Sequence, residues 1–198
     1  LALVLHEKGF NVQGSDVEEY FFTQRDLEKA EIPLFVFDEN NITPGLTVIA
    51  GNAFPDSHEE LTRAKELGLE ILHRSDLLAR ISEGLGSDKK KWFIGYSGTH
   101  GKTTTSGLSS YVLSKAGLQP AFVVGGMVPE LGVNSQSDKG DFLVAELDES
   151  DGTIVKYKPQ ISVINNLEVD HVDFYTDGLK SILDTFKTYL TNLPVGSK

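Results

Sequence analysis

The chain has no cysteine among its 198 residues, and it has a single methionine and a single tryptophan. Without cysteine, disulfide bonds and thiolate metal sites are excluded. No apolar run approaches the roughly 20 residues that a membrane-spanning helix needs, so we expect no membrane partner. The first residues lack the basic leader and the cleavage site of a secretory signal peptide. These features are compatible with a cytoplasmic protein.

Positive charge is also scarce. Lysine and arginine total 18 against 29 aspartate and glutamate residues, which gives a net charge of −11. This balance argues against broad binding to nucleic acid or to anionic membranes. It leaves phosphate-bearing small molecules open, because such ligands need only a few local donors. The composition carries no indication of an oligomeric state.

Short helix-like and strand-like segments alternate along the first half of the chain. The patterns predict helices over 1–8, 23–30, 57–67 and 75–81, and strands over 10–13, 34–37, 46–50 and 69–72. Thr23 is the predicted N-cap of the second helix. This alternation predicts an α/β fold in which helices cover a parallel sheet.

A polar, glycine- and lysine-containing segment over 85–91 is predicted to be a linker, because it has little to bury. A lysine run of this kind is more often solvated than anion-binding. We therefore predict one domain over 1–84 and a second over 92–198. In the second, the patterns predict strands over 92–97, 121–124, 142–147 and 161–164, and helices over 103–116 and 179–190.

The most informative segment reads Gly-Thr-His-Gly-Lys-Thr-Thr-Thr from Gly98 to Thr105. It lies between a predicted strand and a predicted helix, the context in which a glycine-rich turn holds phosphate. Lys102 would reach the outer phosphates, and the Thr103 hydroxyl would be available to Mg²⁺. The usual P-loop has a glycine where this chain has Tyr96, so a helix N-terminus with a surface lysine is the alternative.

Further polar residues follow the apolar strands of the second domain. Gly125-Gly126, Glu146 and Asn165-Asn166 all come near predicted carboxyl ends of strands, the edge where ligands bind in open parallel sheets. His171 follows shortly after. One site would then combine a lysine, a hydroxyl, a carboxylate and an imidazole, as phosphoryl transfer requires.

Three alternatives remain open for these residues. Glu146 could lie at an exposed strand edge, the acidic run 148–151 could be a solvated turn, and His171 could be a structural histidine. In the first domain, Gly14-Ser15-Asp16 follows a predicted strand and offers an acid to a ribose hydroxyl, although the glycine fingerprint that should accompany it is absent.

Three segments, taken in chain order, resemble signatures of the Mur ligases: Gly98–Thr105, Ala145–Asp151 and Asn166–Tyr175. Gln13–Asp16 with Thr23-Gln24-Arg25 is similar to the uridine-nucleotide domain of that family. The family's loop also lacks the glycine that is missing at position 96. The resemblance implies a Rossmann-like parallel-sheet N-terminal domain followed by a P-loop α/β ATP-binding domain.

The resemblance also implies the chemistry of the family's alanine-adding branch, in peptidoglycan precursor synthesis. A carboxylate of UDP-N-acetylmuramate attacks the γ-phosphate of ATP, and the amine of L-alanine displaces phosphate from the resulting acyl phosphate. Nucleotide binding is implied for Gly98, Thr99, His100, Gly101, Lys102, Thr103 and Thr104. Mg²⁺ binding is implied for Thr103, Glu146 and His171, substrate contacts for Ser15, Asp16, His100 and Asn166, and catalysis for Lys102, Glu146 and His171.

Relative to that family, the first strand with its glycine loop and the third domain are expected to lie outside the chain. We therefore expect an incomplete ATP-binding domain and no complete reaction from this chain alone. A ligase that recycles murein tripeptide and a nucleotide-binding module without ligase activity are the alternatives.

Overall fold

The structure is a computed structural model that describes residues 1–21, 24–86 and 89–198. Thr23, the predicted N-cap, lies outside these residues, as do positions 87 and 88 of the predicted linker. The chain divides into two compact units, Leu1–Leu77 and Leu78–Lys198. Within the described ranges, no helix has the length and apolar character needed to cross a membrane.

The first unit is built from two pairs of short parallel strands with helices between them. Strand β1 (Gly14–Asp16) pairs with β2 (Leu34–Val36), and β3 (Thr47–Ala50) pairs with β4 (Glu70–His73). The helices are α1 (Ala2–Glu7), α2 (Gln24–Lys29), α3 (Glu59–Glu66) and α4 (Arg74–Ser82), and a 3-10 helix covers Glu39–Asn41. Helix α4 begins in the first unit and ends in the second.

The prediction of a strand over 10–13 is wrong. The backbone N–H of Phe10 donates to the Leu5 carbonyl at 3.1 Å, so this segment closes helix α1 instead of joining a sheet. The strand begins at Gly14, which pairs with Leu34. Ser15 and Asp16 therefore lie within β1, not beyond its end.

The second unit contains a five-stranded sheet in the order β7-β6-β8-β5-β9. Its strands are β5 (Trp92–Ser97), β6 (Ala121–Val128), β7 (Val133–Gln136), β8 (Phe142–Glu146) and β9 (Ile161–Ile164). The helices are α5 (Lys102–Lys115) and α6 (Leu179–Thr191), and a 3-10 helix covers Thr153–Lys156. The predicted α/β class with parallel strands is confirmed.

The two helices cover opposite faces of this sheet. Val144 belongs to a buried core cluster, and both Ile161 of β9 and Tyr111 of α5 pack against this cluster. Ser162, which points to the other face because side chains alternate along a strand, contacts the Tyr189 hydroxyl of α6 at 2.7 Å. Burial raises the pKa of Tyr189 to about 12. Glu146 follows Val144 by two residues, so it lies on the α5 face at the carboxyl end of β8.

Two features of the sheet differ from the prediction. Strand β6 continues to Val128 instead of ending before Gly125, and its pairing with β7 is irregular between Val123 and Val128. Strand β7 was not predicted, and it pairs antiparallel with β6. Its sequence, Val-Asn-Ser-Gln, is mostly polar and has no apolar pattern that would predict a strand. The strand forms because the segment pairs with β6 in a hairpin.

Candidate functional site

The glycine loop lies between the carboxyl end of β5 and the first residue of α5. Gly98 and Gly101 have φ angles of +117° and +80°, which side chains with a Cβ rarely adopt. A Cβ on Gly98 would also lie 2.6 Å from the Asn166 carbonyl oxygen. Glycine at position 98 is therefore required both by backbone conformation and by the close approach of the segment after β9.

Two asparagines after β9 hold the loop from the side. The His100 N–H donates to Asn166 Oδ1 at 2.9 Å, and the His100 carbonyl accepts from the side-chain amides of both Asn165 and Asn166 at 3.1 Å. Asn165 also donates to the Thr105 hydroxyl at 3.1 Å. These bonds fix the loop backbone, and the His100 side chain is 65% exposed, 3.9 Å from Glu168.

The Thr103 hydroxyl and the Glu146 carboxylate are in direct contact. Thr103 Oγ1 lies 3.1 Å from Glu146 Oε1 and 3.0 Å from Oε2, and the Gly125 N–H donates to Oε2 at 2.8 Å. The sequence pattern alone leaves open an exposed strand edge as the position of Glu146. Instead it is on β8, the central strand, with hydroxyl and amide partners.

Lys102 contacts the acidic run that follows β8. Its Nζ donates to the Gly98 carbonyl at 2.7 Å and to Glu149 Oε1 at 2.9 Å. The two side chains are only 15% and 4% exposed. The interpretation of this run as a solvated turn is therefore wrong for Glu149, and Lys102 is not a surface lysine.

His171 lies on the loop after β9 with a φ of +51°. Its side chain is 37% exposed and its Nε2 is 3.9 Å from Asp170 Oδ2. Within the part of the chain that the structure describes, no hydrogen bond or ion pair joins His171 to Thr103 or Glu146. The geometry thus brings together two members of the predicted metal set, and the role of His171 stays a prediction.

The oxygens of Thr103 and Glu146 suit Mg²⁺, which usually binds through one or two carboxylates together with waters and substrate phosphates. Across the described ranges, no group of three His, Cys, Asp or Glu side chains could hold a metal ion. A site that relies on phosphate for its remaining ligands fits both observations.

A groove of about 380 Å³ opens beside Thr103, between α5 and the turn that follows β6. It is lined by Thr104, Leu108, Tyr111, Met127 and Glu130 among others. The groove provides room for a substrate group next to the hydroxyl of Thr103.

In the first unit, Ser15 and Asp16 lie side by side on β1 but have different partners. The Ser15 hydroxyl donates to Glu60 Oε2 at 2.5 Å, whereas Asp16 Oδ1 accepts from the Val17 N–H at 2.8 Å. Glu60 is buried and also accepts from the Asn41 amide at 2.8 Å. A cavity of about 100 Å³ adjoins Ser15 and Glu60, and its lining also includes Phe37, Ile49, Phe54 and His58.

Two family profiles match the chain in succession. The profile described as "Mur ligase family, catalytic domain" matches residues 1–84, and that described as "Mur ligase middle domain" matches residues 97–197. The chain belongs to the Mur ligase family. This confirms the resemblance that its three motifs indicated. The glycine loop, Thr103 and Glu146 all lie within the middle-domain match.

Two curated relatives of this Mur ligase chain carry the same name. The chain is 41% identical over 197 residues to the UDP-N-acetylmuramate–L-alanine ligase of Levilactobacillus brevis, and 42% identical over 190 residues to that of Gloeobacter violaceus. The alignments cover 99% and 96% of the chain but 41% and 40% of the two relatives. The chain thus spans about two-fifths of the length of these relatives.

Solved Mur ligase structures share the fold. The UDP-N-acetylmuramate:L-alanyl-γ-D-glutamyl-meso-diaminopimelate ligase of Neisseria meningitides matches with a TM-score of 0.85 at 30% identity, over 98% of this chain and 64% of that one. The UDP-N-acetylmuramate–alanine ligase of Thermotoga maritima matches with a TM-score of 0.81 at 31% identity, over 97% and 44%.

Sequence reasoning missed two buried carboxylates. The sequence pattern places Glu149 in a polar turn. Glu60 lies on α3 among other charged residues, and no pattern in the sequence marks it as buried. A partial signal existed for Glu149, because the acidic run follows directly after an apolar strand. Neither burial is visible without the tertiary partners, Lys102 and Ser15.

Proposed function

We propose that this Mur ligase chain supplies the nucleotide-sugar and ATP-binding parts of a ligase that joins L-alanine to UDP-N-acetylmuramate. The observation that carries the ATP chemistry is the meeting of the glycine loop, Lys102 and the Thr103–Glu146 pair at one edge of the sheet. The choice of substrates is supported by relatives of that name at about 40% identity. We propose that such an enzyme works in the cytoplasm.

In the proposed reaction, a carboxylate of UDP-N-acetylmuramate attacks the γ-phosphorus of ATP and ADP leaves. The amine of L-alanine then displaces phosphate from the acyl phosphate and loses a proton. Lys102 and the backbone N–H groups at the start of α5 would stabilise charge on the transferring phosphoryl group. The loop geometry fixes these donors in advance, so they need little reorganisation during the reaction.

Thr103 and Glu146 would hold Mg²⁺, and His171 is proposed as a further ligand. When bound, the ion would neutralise negative charge on the phosphates. Gly125 donates to Glu146 Oε2 and so orients the carboxylate. Ser15 and Asp16 are proposed contacts of the nucleotide sugar in the first unit, and His100 and Asn166 are proposed substrate contacts in the second.

The test is a phosphate-release assay on a full-length protein that carries this chain, with ATP, Mg²⁺ and UDP-N-acetylmuramate. We expect release that depends on L-alanine, together with an amide product detectable by mass spectrometry. Binding of both nucleotides without any amide product would instead identify a nucleotide-binding module.

A second candidate is ligation of the tripeptide L-alanyl-γ-D-glutamyl-meso-diaminopimelate. It is favoured by the TM-score of 0.85 to the Neisseria meningitides ligase of that specificity. The same assay with tripeptide in place of L-alanine separates the two candidates. Turnover with tripeptide and none with L-alanine would replace the first proposal with the second.

A further inference from the structure

Lys102 and Glu149 form an ion pair with little access to solvent. Their side chains are 15% and 4% exposed, and Nζ lies 2.9 Å from Oε1. An exposed pair contributes little, but removing one partner of a buried pair leaves an uncompensated charge and is costly. The side-chain conformation of Lys102 is therefore coupled to Glu149 much more strongly than that of a surface lysine would be to its partner.

The hydrogen bonds of the Lys102 ammonium group are unequal. Its three acceptors are the Gly98 carbonyl at 2.7 Å, Glu149 Oε1 at 2.9 Å and the Thr99 carbonyl at 3.4 Å. The first two distances are those of strong charge-assisted bonds, whereas the third is at the limit of hydrogen bonding. The donor directed at Thr99 can therefore turn to another acceptor at little cost, while the other two hold the nitrogen in place.

Glu149 itself is held firmly by its backbone. The Tyr175 hydroxyl donates to the Glu149 carbonyl at 2.5 Å, and the Gly152 N–H donates to the same oxygen at 3.0 Å. Burial raises the pKa of Tyr175, so its hydroxyl remains a donor. Glu149 Oε2 is buried with no hydrogen-bond partner among the described residues. A buried carboxylate with one unsatisfied oxygen is costly, and such cases occur at functional sites.

We propose that Glu149 is the positioning residue of Lys102. Its Oε1 fixes the ammonium group beside the glycine loop, so that the donor now directed at Thr99 is available to the phosphates of a bound nucleotide. This inference rests on the proposed function, because it assigns a role within the same nucleotide site. Glu149 acts through Lys102 and needs no contact with substrate.

The proposal depends on the reach of the accepting oxygen, not on negative charge alone. Glu149→Gln keeps an acceptor at the same reach and removes the charge, so it should lower the stability of the protein by leaving the Lys102 ammonium group uncompensated while it preserves the position of Nζ. Glu149→Asp keeps the charge and withdraws it by one methylene. A positioning role therefore predicts that the glutamine variant resembles the wild type more closely than the aspartate variant does.

The experiment measures kcat, the KM for L-alanine and the Kd of a non-hydrolysable ATP analogue in a full-length protein carrying this chain. We expect Glu149→Asp to lower kcat about 100-fold, because a displacement near 1 Å of a reacting or orienting group costs about that much. Glu149→Gln should stay within about tenfold of the wild type in kcat and bind the analogue more tightly than the aspartate variant. The KM for L-alanine should change in neither.

Glu83→Gln is the matched control. Glu83 pairs with Lys90 at 2.8 Å, but both side chains are more than half exposed, so its loss should change none of these quantities. An aspartate variant closer to the wild type than the glutamine variant would overturn the proposal in favour of a pure charge effect. The proposal would also be overturned if both Glu149 variants kept the wild-type kcat and analogue affinity and showed only a lowered melting temperature. If the wild type makes no amide product, the proposed function fails, and the order of analogue affinities still decides the role of Glu149.

Discussion

At the residue scale, Lys102 is the only lysine or arginine between Gly98 and Thr105. If it stabilises the transferring phosphoryl group, Lys102→Ala should lower kcat about 10²–10³-fold, the usual cost of losing one preorganised donor. Phosphate release by the full-length protein measures this. Lys115→Ala, at the other end of the same helix, is the control, because its ammonium group lies over the face of Tyr111, 5.4 Å from the ring centre. Near-normal turnover in Lys102→Ala would remove Lys102 from the proposed machinery.

Glu146 provides a second prediction at this scale. Losing even an outer-shell partner typically weakens metal binding about 10–100-fold, so losing a ligand should raise the half-saturating Mg²⁺ concentration at least about tenfold. We expect this for Glu146→Gln when phosphate release is titrated with Mg²⁺. Asp184→Asn, an exposed carboxylate on α6 that pairs with Lys187, should not shift the titration. An unshifted curve for Glu146→Gln would exclude Glu146 as a metal ligand.

At the element scale, the packing of β5 explains why the chain has a glycine at position 95, one residue before the position that is glycine in the usual P-loop. A Cβ on Gly95 would lie 2.5 Å from Leu147 Cδ1 and 3.2 Å from Pro159 Cγ. Leu147 is fully buried, so its side chain would have to shift within a closely packed core to admit that Cβ. Gly95 thus allows β5 to pack closely against Leu147 and Pro159, and this packing accounts for the glycine without any role in phosphate binding.

This packing predicts that Gly95→Ala destabilises the protein by about 1–3 kcal/mol, as overpacking of a filled core does. Chemical denaturation of the full-length protein measures the change. Gly107→Ala on α5 is the control, since its Cβ would meet only Val128 at 3.4 Å and alanine favours the helix by up to about 1 kcal/mol. Equal stability of Gly95→Ala and the wild type would show that Leu147 can move aside.

The elements differ in how far the sequence alone predicts them. The sequence predicts the bounds of β5, β8 and α6 to within a residue or two, because the buried face of each element gives it a periodic apolar pattern. β1 and β7 were not, because a strand of three or four polar or mixed residues exists only through its partner. In the site, the positions of the loop and of Glu146 follow from the motif and from the strand ends. The environment of Glu149 does not, because its partners Lys102 and Tyr175 lie 47 positions earlier and 26 positions later in the chain.

At the scale of the whole molecule, the proposed ligands divide between the two units. The contacts of Ser15 and Asp16 are with first-unit residues, and those of Lys102 and Thr103 are with second-unit residues. Among the residues that the structure describes, the hydrogen bonds of these two sets have no side chain in common. Substitutions in the two sets should therefore act separately on the binding of the two nucleotides, each measured in the absence of the other.

Asp16→Asn is the sharpest probe of this separation, because the asparagine oxygen can still accept from the Val17 N–H. We expect it to weaken UDP-N-acetylmuramate binding about tenfold, the effect of losing roughly 1.4 kcal/mol, and to leave the affinity for an ATP analogue unchanged. Lys102→Ala should do the reverse. Asp56→Asn, whose side chain is 96% exposed, is the control. Calorimetry that finds equal weakening of both nucleotides by Asp16→Asn would contradict the division of ligands between the units.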